Sequence, residues 1–174
     1  MTNEYYLQQE KIKQSIYSPD IVDNSEQIAR LIMSPKHFQD GEVDATAFEQ
    51  IIHSGMSVLR KKDIDIFNKD SLATIKKLSN NGIQEYVGYV QASVNEIRLI
   101  LIQTYRLFYV LDTATRETTS HADVHAVRTP EIIKASNLPR KSFHQHIRSQ
   151  IAELFNQKGL INNTMDLKSV NSLS

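Results

Sequence analysis

Two facing stretches near the middle of the chain constrain its fold most. Arg106-Leu107-Phe108-Tyr109-Val110-Leu111-Asp112 and His121-Ala122-Asp123-Val124-His125-Ala126-Val127 are separated by the polar run Thr113 to Ser120. The first is rich in aromatic and branched side chains, which suit a pleated, half-buried surface, and the second alternates polar with apolar at a period of two. They read as two antiparallel strands joined by a loop, and the rest of the chain has to cover their apolar side.

A chain of 174 residues makes about one domain and is long enough to bury a core without covalent staples. It has no cysteine, which excludes disulfides, thiolate nucleophiles and zinc-thiolate sites and fits a reducing compartment. Apolar runs such as Leu99 to Ile102 are far shorter than a bilayer requires, and Asn3, Glu4 and Tyr5 do not resemble a secretion signal. A cytoplasmic protein with no membrane contact is expected. Twenty basic and twenty acidic residues cancel, which argues against a general binder of phosphate backbones.

Along the chain, Asn3 is positioned to cap a helix from Glu4 to about Tyr17, with Tyr5, Ile12 and Ile16 on one stripe, and Ser18-Pro19 stops it. A single terminal helix has to dock somewhere, on its own domain or on a partner. Ile28 to Met33 reads as a strand or short helix, followed by a turn at residues 39–42. Asp44 then caps a short helix carrying Ala47, Phe48, Ile51 and Ile52, Gly55 ends it, and Met56 to Arg60 is a strand. Asp70 or Ser71 is expected to cap a helix through Leu72, Ile75 and Leu78. Tyr86 to Ala92 reads as a strand with a bulge at Gly88. Residues 93–104 are ambiguous: Ser93-Val94-Asn95-Glu96 is a capping-box pattern, yet Ile97 to Ile102 has strand composition, so a short helical turn followed by a strand is expected.

Thr129-Pro130-Glu131 starts a short helix that Asn137-Leu138-Pro139 ends, and Ser142 caps the clearest helix in the chain. There Phe143, Ile147, Ile151, Leu154 and Phe155 make one apolar stripe. The expected organisation is a single α+β domain over residues 1–161, with residues 1–18 free to dock separately and a flexible polar tail from 162 to 174. Its architecture is a mainly antiparallel sheet with helices packed on one face, flanked by the N-terminal helix and the C-terminal amphipathic helix.

Ser34-Pro35-Lys36-His37-Phe38, the Ala47-Phe48 helix, Ser57-Val58-Leu59-Arg60, Leu111-Asp112-Thr113-Ala114 and Ser120-His121-Ala122-Asp123-Val124 together resemble a family of small uncharacterised bacterial proteins. The resemblance covers about residues 25–127. It implies a bacterial source and one compact domain, and carries no activity with it.

Of the residues able to carry chemistry, His121, Asp123 and His125 are the sharpest, since strand positions i, i+2 and i+4 point to one side. Two histidines and a carboxylate form the ligand set of several catalytic metal sites, although neighbours two apart on a strand sit roughly 7 Å apart at Cα. The plainer reading is an ordinary strand with one wet face. Asp112, at the end of the preceding strand, is placed to approach His121 or His125, or else to start the loop by bonding its own backbone. His144 and His146 lie about 200° apart on their helix and cannot share an ion without a third element, while His37 and His53 have no local partner. No nucleophile elbow, phosphate loop or metalloprotease pattern occurs, so no cofactor is expected.

Arg140, Lys141, Arg148 and Lys158 place positive charge on or beside the last helix, and two helices joined by a tight turn can imitate a helix-turn-helix. Three functions are therefore in view. The preferred one is a non-enzymatic module that binds another protein as an accessory subunit of a larger bacterial assembly, with self-association also open. The alternatives are a metal-dependent hydrolase built on His121, Asp123 and His125 with Asp112 in support, and a nucleic-acid binder using the helix at 142–157.

Overall fold

The computed structural model describes residues 2–18, 20–79 and 82–162. Helix α1 (Asn3–Lys13) is followed by strand β1 (Gln27–Ser34), the short strands β2 (Phe38–Gln39) and β3 (Glu42–Val43), a 3-10 helix (Ala45–Ile52) and β4 (Met56–Arg60). Next come α2 (Ile64–Leu78), β5 (Glu85–Ser93), α3 (Val94–Arg98) and the hairpin of β6 (Leu101–Ile102) and β7 (Tyr105–Arg106). Strands β8 (Phe108–Asp112) and β9 (His121–Ala126) and helices α4 (Pro130–Ser136) and α5 (Arg140–Gln157) complete the chain order. No helix among the described residues is long and apolar enough to cross a membrane.

Five strands form one antiparallel sheet in the order β5-β1-β4-β9-β8, so the expected α+β class and the central pair are both present. The period-two alternation sorts the side chains. Ile28, Ile32, Val58, Val90, Ala122, Val124 and Val110 belong to the main core, where Phe48 and Ile51 of the 3-10 helix, Ile97 of α3 and the α5 stripe Phe143, Ile147, Ile151 and Phe155 meet them. The interleaved residues Ala29, Leu31, Leu59 and Tyr89 form a smaller cluster, which Phe67 and Ile75 of α2 cover. Most helices thus share one face of the sheet, while α2 lies across part of the other.

Both edges of the sheet are occupied. On β8, the backbone N–H of Val110 donates to Glu10 Oε1 of α1 at 3.1 Å, and Ser15 N donates to the Asp112 carbonyl at 2.9 Å. On β5, Tyr89 and Ile161 exchange backbone bonds of 3.1 and 2.9 Å. Covering an edge removes a template for pairing with another chain. The β5 contact depends on Gly88, whose φ is +147° and where a Cβ would stand 2.5 Å from the Ile161 carbonyl oxygen. The expected irregularity is at this point: the β1–β5 register skips Val87 between the pairs Ile32↔Gly88 and Met33↔Tyr86.

Three expectations are corrected. The face that α1 buries is Tyr6 and Glu10, whereas Tyr5, Ile12 and Ile16 are 39, 69 and 92% exposed. Glu10 is drawn inward because it meets Arg98, Arg106 and the free N–H of Val110, and these polar demands outweigh a stripe of three apolar side chains. Thr2 caps this helix, leaving Asn3 to accept from Arg106. Helix α2 begins nearly two turns before Asp70, capped by Asp63, whose side chain accepts from Asp65 N at 2.9 Å and Ile66 N at 3.0 Å. Asp70 is buried mid-helix, where its carboxylate accepts from Ser120 N and Oγ, both at 2.8 Å, and so ties α2 to the start of β9. Helix α5 begins at Arg140 behind Pro139, with Ser142 inside its first turn. The Ser93–Glu96 capping box forms as expected and starts α3, and strand pairing resumes only at Leu101. The tail expected from 162 onward lies, from residue 163, outside the described residues.

Candidate functional site

The polar face of β9 is already engaged by the chain itself. Thr113 Oγ1 donates to Asp123 Oδ2 at 2.8 Å and lies 2.9 Å from His121 Nδ1, which is also 3.2 Å from the Thr113 carbonyl. That network puts the His121 proton on Nδ1, because both of its neighbours there are acceptors. His125 packs over Gly55 instead, where a Cβ would stand 2.4 Å from its Nε2. Burial lowers the His125 pKa, with Lys13 and Arg128 adding to the effect and Asp123 opposing it. Among the described residues no three His, Cys, Asp or Glu side chains are grouped to hold a metal ion.

Asp112 does not approach these histidines. It pairs in register with Ala122, so alternation turns it to the face opposite His121. There its carboxylate accepts from Arg60 and from Ala114 N, the latter at 2.9 Å, which gives it the loop-starting role. Arg60 also makes a paired contact with Glu26 at 2.8 and 2.7 Å and reaches Asp20 at 3.0 Å. Burial works to lower the Arg60 pKa, but the carboxylates outweigh it and raise the value. A second buried group joins Glu10 to Arg98 and Arg106. Both clusters link segments far apart in sequence.

Two clefts of about 680 Å³ each remain, a size suited to a ligand. One lies between α2, the Thr115–Thr118 turn and the sheet, with Arg30, His37, Lys77, Arg116 and His121 in its lining. The other lies where α1 and the start of α5 meet β8 and the end of β9. Lys13 of α1, Arg128 after β9 and Arg140 of α5 line it together with His125, His144 and Tyr109, and among the described residues no carboxylate does. His144 Nε2 is buried there without a hydrogen-bond partner among the described residues. Partial burial lowers the His144 pKa, and Arg128 and Arg140 lower it further, so the imidazole is a neutral group in a cationic wall.

Of the cations expected to meet nucleic acid, Arg140 faces this cleft, whereas Lys158 is paired with Glu96 at 2.9 Å and sits about 27 Å along the helix from Arg140. Lys141 is exposed and Arg148 half-buried. His146 is half-buried beside the α5 stripe, and His37 is buried with its Nδ1 accepting from Met33 N at 3.4 Å. Lys13 and Arg128 carried no local signal in the sequence, since each becomes significant only when α1, β9 and α5 converge. Comparison of the chain with protein-family models, with curated proteins and with solved structures gives no match.

Proposed function

We propose that this chain is a non-enzymatic interaction module, an accessory subunit that binds another protein through α1 and the cationic cleft beside it. One observation carries the reading: α1 docks by Tyr6 and Glu10 and leaves Tyr5 and Ile12 in solvent, with Ile16 also exposed in the turn beyond it, next to a cleft lined by Lys13, Arg128 and Arg140. Ile12 lies about 20° round the helix from Tyr5, which itself lines the cleft, so the apolar stripe and the basic wall are continuous. The complementary partner is an acidic segment flanked by apolar side chains, its charge steering the encounter and the apolar contact holding it.

The test is affinity purification of the tagged chain from its host with mass spectrometry, run beside an Ile12→Glu/Arg128→Glu double variant shown to be folded. A stoichiometric partner that survives moderate salt with the native chain and disappears with the variant supports the module. Recovery of the chain alone, or equal recovery of the partner by both, overturns it. A second copy of the chain, detected by light scattering, would redirect the same surface to self-association.

A further inference from the structure

Among the described residues, three arginines that point into the folded chain are matched with carboxylates, and a fourth is not. Arg60 has Glu26, Asp112 and Asp20, and Arg98 and Arg106 share Glu10. Arg30 of β1 is the exception. Its Nε donates to the Ala47 carbonyl at 3.2 Å and its Nη1 to the Ser57 carbonyl at 2.8 Å, two groups without net charge. Among the described residues no carboxylate forms an ion pair with it, and Asp123 acts only from a longer range. Burial lowers its pKa to about 10, which leaves it charged at neutral pH. A half-buried guanidinium without a counter-ion is open to an anion, and its fork geometry suits a carboxylate or phosphate.

Arg30 lines the cleft between α2 and the sheet. Exposed Lys36, Lys77 and Arg116 stand around the same cleft against one acid among the described residues, Glu117, while the exposed Leu78 gives it an apolar side. His37 also lines it. Since its Nδ1 accepts from Met33 N, its other nitrogen carries the proton and is a neutral donor.

We propose that this cleft is a binding site for a small organic anion with an apolar body, the charged end among Arg30, Lys77 and Arg116 and the body against the exposed side chain of Leu78. The site shares no lining residue with the cleft between α1 and α5, so it stands or falls independently of the partner-binding function.

The probe is 8-anilinonaphthalene-1-sulfonate, titrated into the full chain by fluorescence, then competed with octanoate, octyl phosphate and octanol at equal concentrations. One saturable site is expected, cleared by the two anions and not by octanol. Clearance by octyl phosphate alone assigns the ligand to phosphate esters, and clearance by both assigns it to organic anions generally. Arg30→Met removes the guanidinium but orphans two carbonyls, so a folded Lys77→Glu/Arg116→Glu double variant is run beside it. It should weaken the probe and octanoate about tenfold, the scale of roughly 1.4 kcal/mol. Absence of a saturable site, unchanged affinity in the folded double variant, or equal displacement by octanol overturns the proposal.

Discussion

Glu10 Oε1 accepts the backbone N–H of Val110 at 3.1 Å, so a side chain from the first helix completes the hydrogen bonding of the last strand in the sheet. The same carboxylate meets Arg98 and Arg106. One buried anion therefore covers an edge N–H and is shared between two cations.

Replacing Glu10 with alanine leaves two buried guanidiniums and a strand N–H without their acceptor. The expected loss is about 3–5 kcal/mol, the usual cost of removing one partner from a buried ion pair. Urea unfolding measures it, and limited proteolysis should show the N-terminal segment released. A loss below about 1 kcal/mol would mean that α1 contributes little to holding the edge.

The two sides of α1 should respond differently to truncation. Tyr6→Ala removes a fully buried ring 5.9 Å from that of Tyr109 and should cost about 3 kcal/mol or more. Ile12→Ser and Ile16→Ser, both at exposed positions, should stay within about 0.5 kcal/mol. Comparable losses on both sides in thermal melts would contradict the docking of the helix by its Tyr6 face.

Gly88→Ala places a methyl group 2.5 Å from the Ile161 carbonyl at a φ of +147°, a conformation that costs an L-residue on the order of 1–3 kcal/mol. The segment Leu160–Ile161 should detach from β5. Faster hydrogen exchange at the Tyr89 and Ile161 amides than in the native chain would register it, and unchanged protection at both would count against the contact.

Acid should destabilise the fold through His37. Burial, with Arg30 and Lys36, holds its pKa at about 4 against an ordinary 6.5. Between those values the unfolded chain binds more protons than the folded one, so stability rises with pH across the window and falls on acidification through it. The contribution is on the order of 3 kcal/mol at most. His37→Asn keeps an acceptor for Met33 N but cannot titrate, and should flatten the dependence of urea midpoints between pH 7 and pH 4. Identical slopes in both proteins would place the acid sensitivity elsewhere.

Period and punctuation were enough to read much of the fold. The alternation His121-Ala122-Asp123-Val124 gave the strand and its faces, the Ser93–Glu96 box gave α3, and the stripe Phe143, Ile147, Ile151 and Phe155 gave the buried face of α5. Each signal lies within one turn or one pleat, where the backbone geometry alone dictates which side chains share a side.

Some readings that failed concern the exact first turn of a helix, as at Asn3 and Ser142, and others concern residues whose partners are distant in the chain. Glu10 turned α1 inward because of Arg98 and Arg106, and Asp70, left mid-helix by the Asp63 cap, is buried because Ser120 donates to its carboxylate; neither long-range partner is encoded in local spacing. Parity alone could have turned Asp112 away from His121 once the β8–β9 register was known, and the register itself follows from how the whole sheet packs. So the sequence by itself determined the elements and their apolar sides, through rules that act over a few residues. Which charges are spent inside the protein and which, like Arg30, Lys13, Arg128 and Arg140, are left facing clefts was decided by tertiary structure, because ion pairing depends on distance in space and the partners here are tens of residues apart.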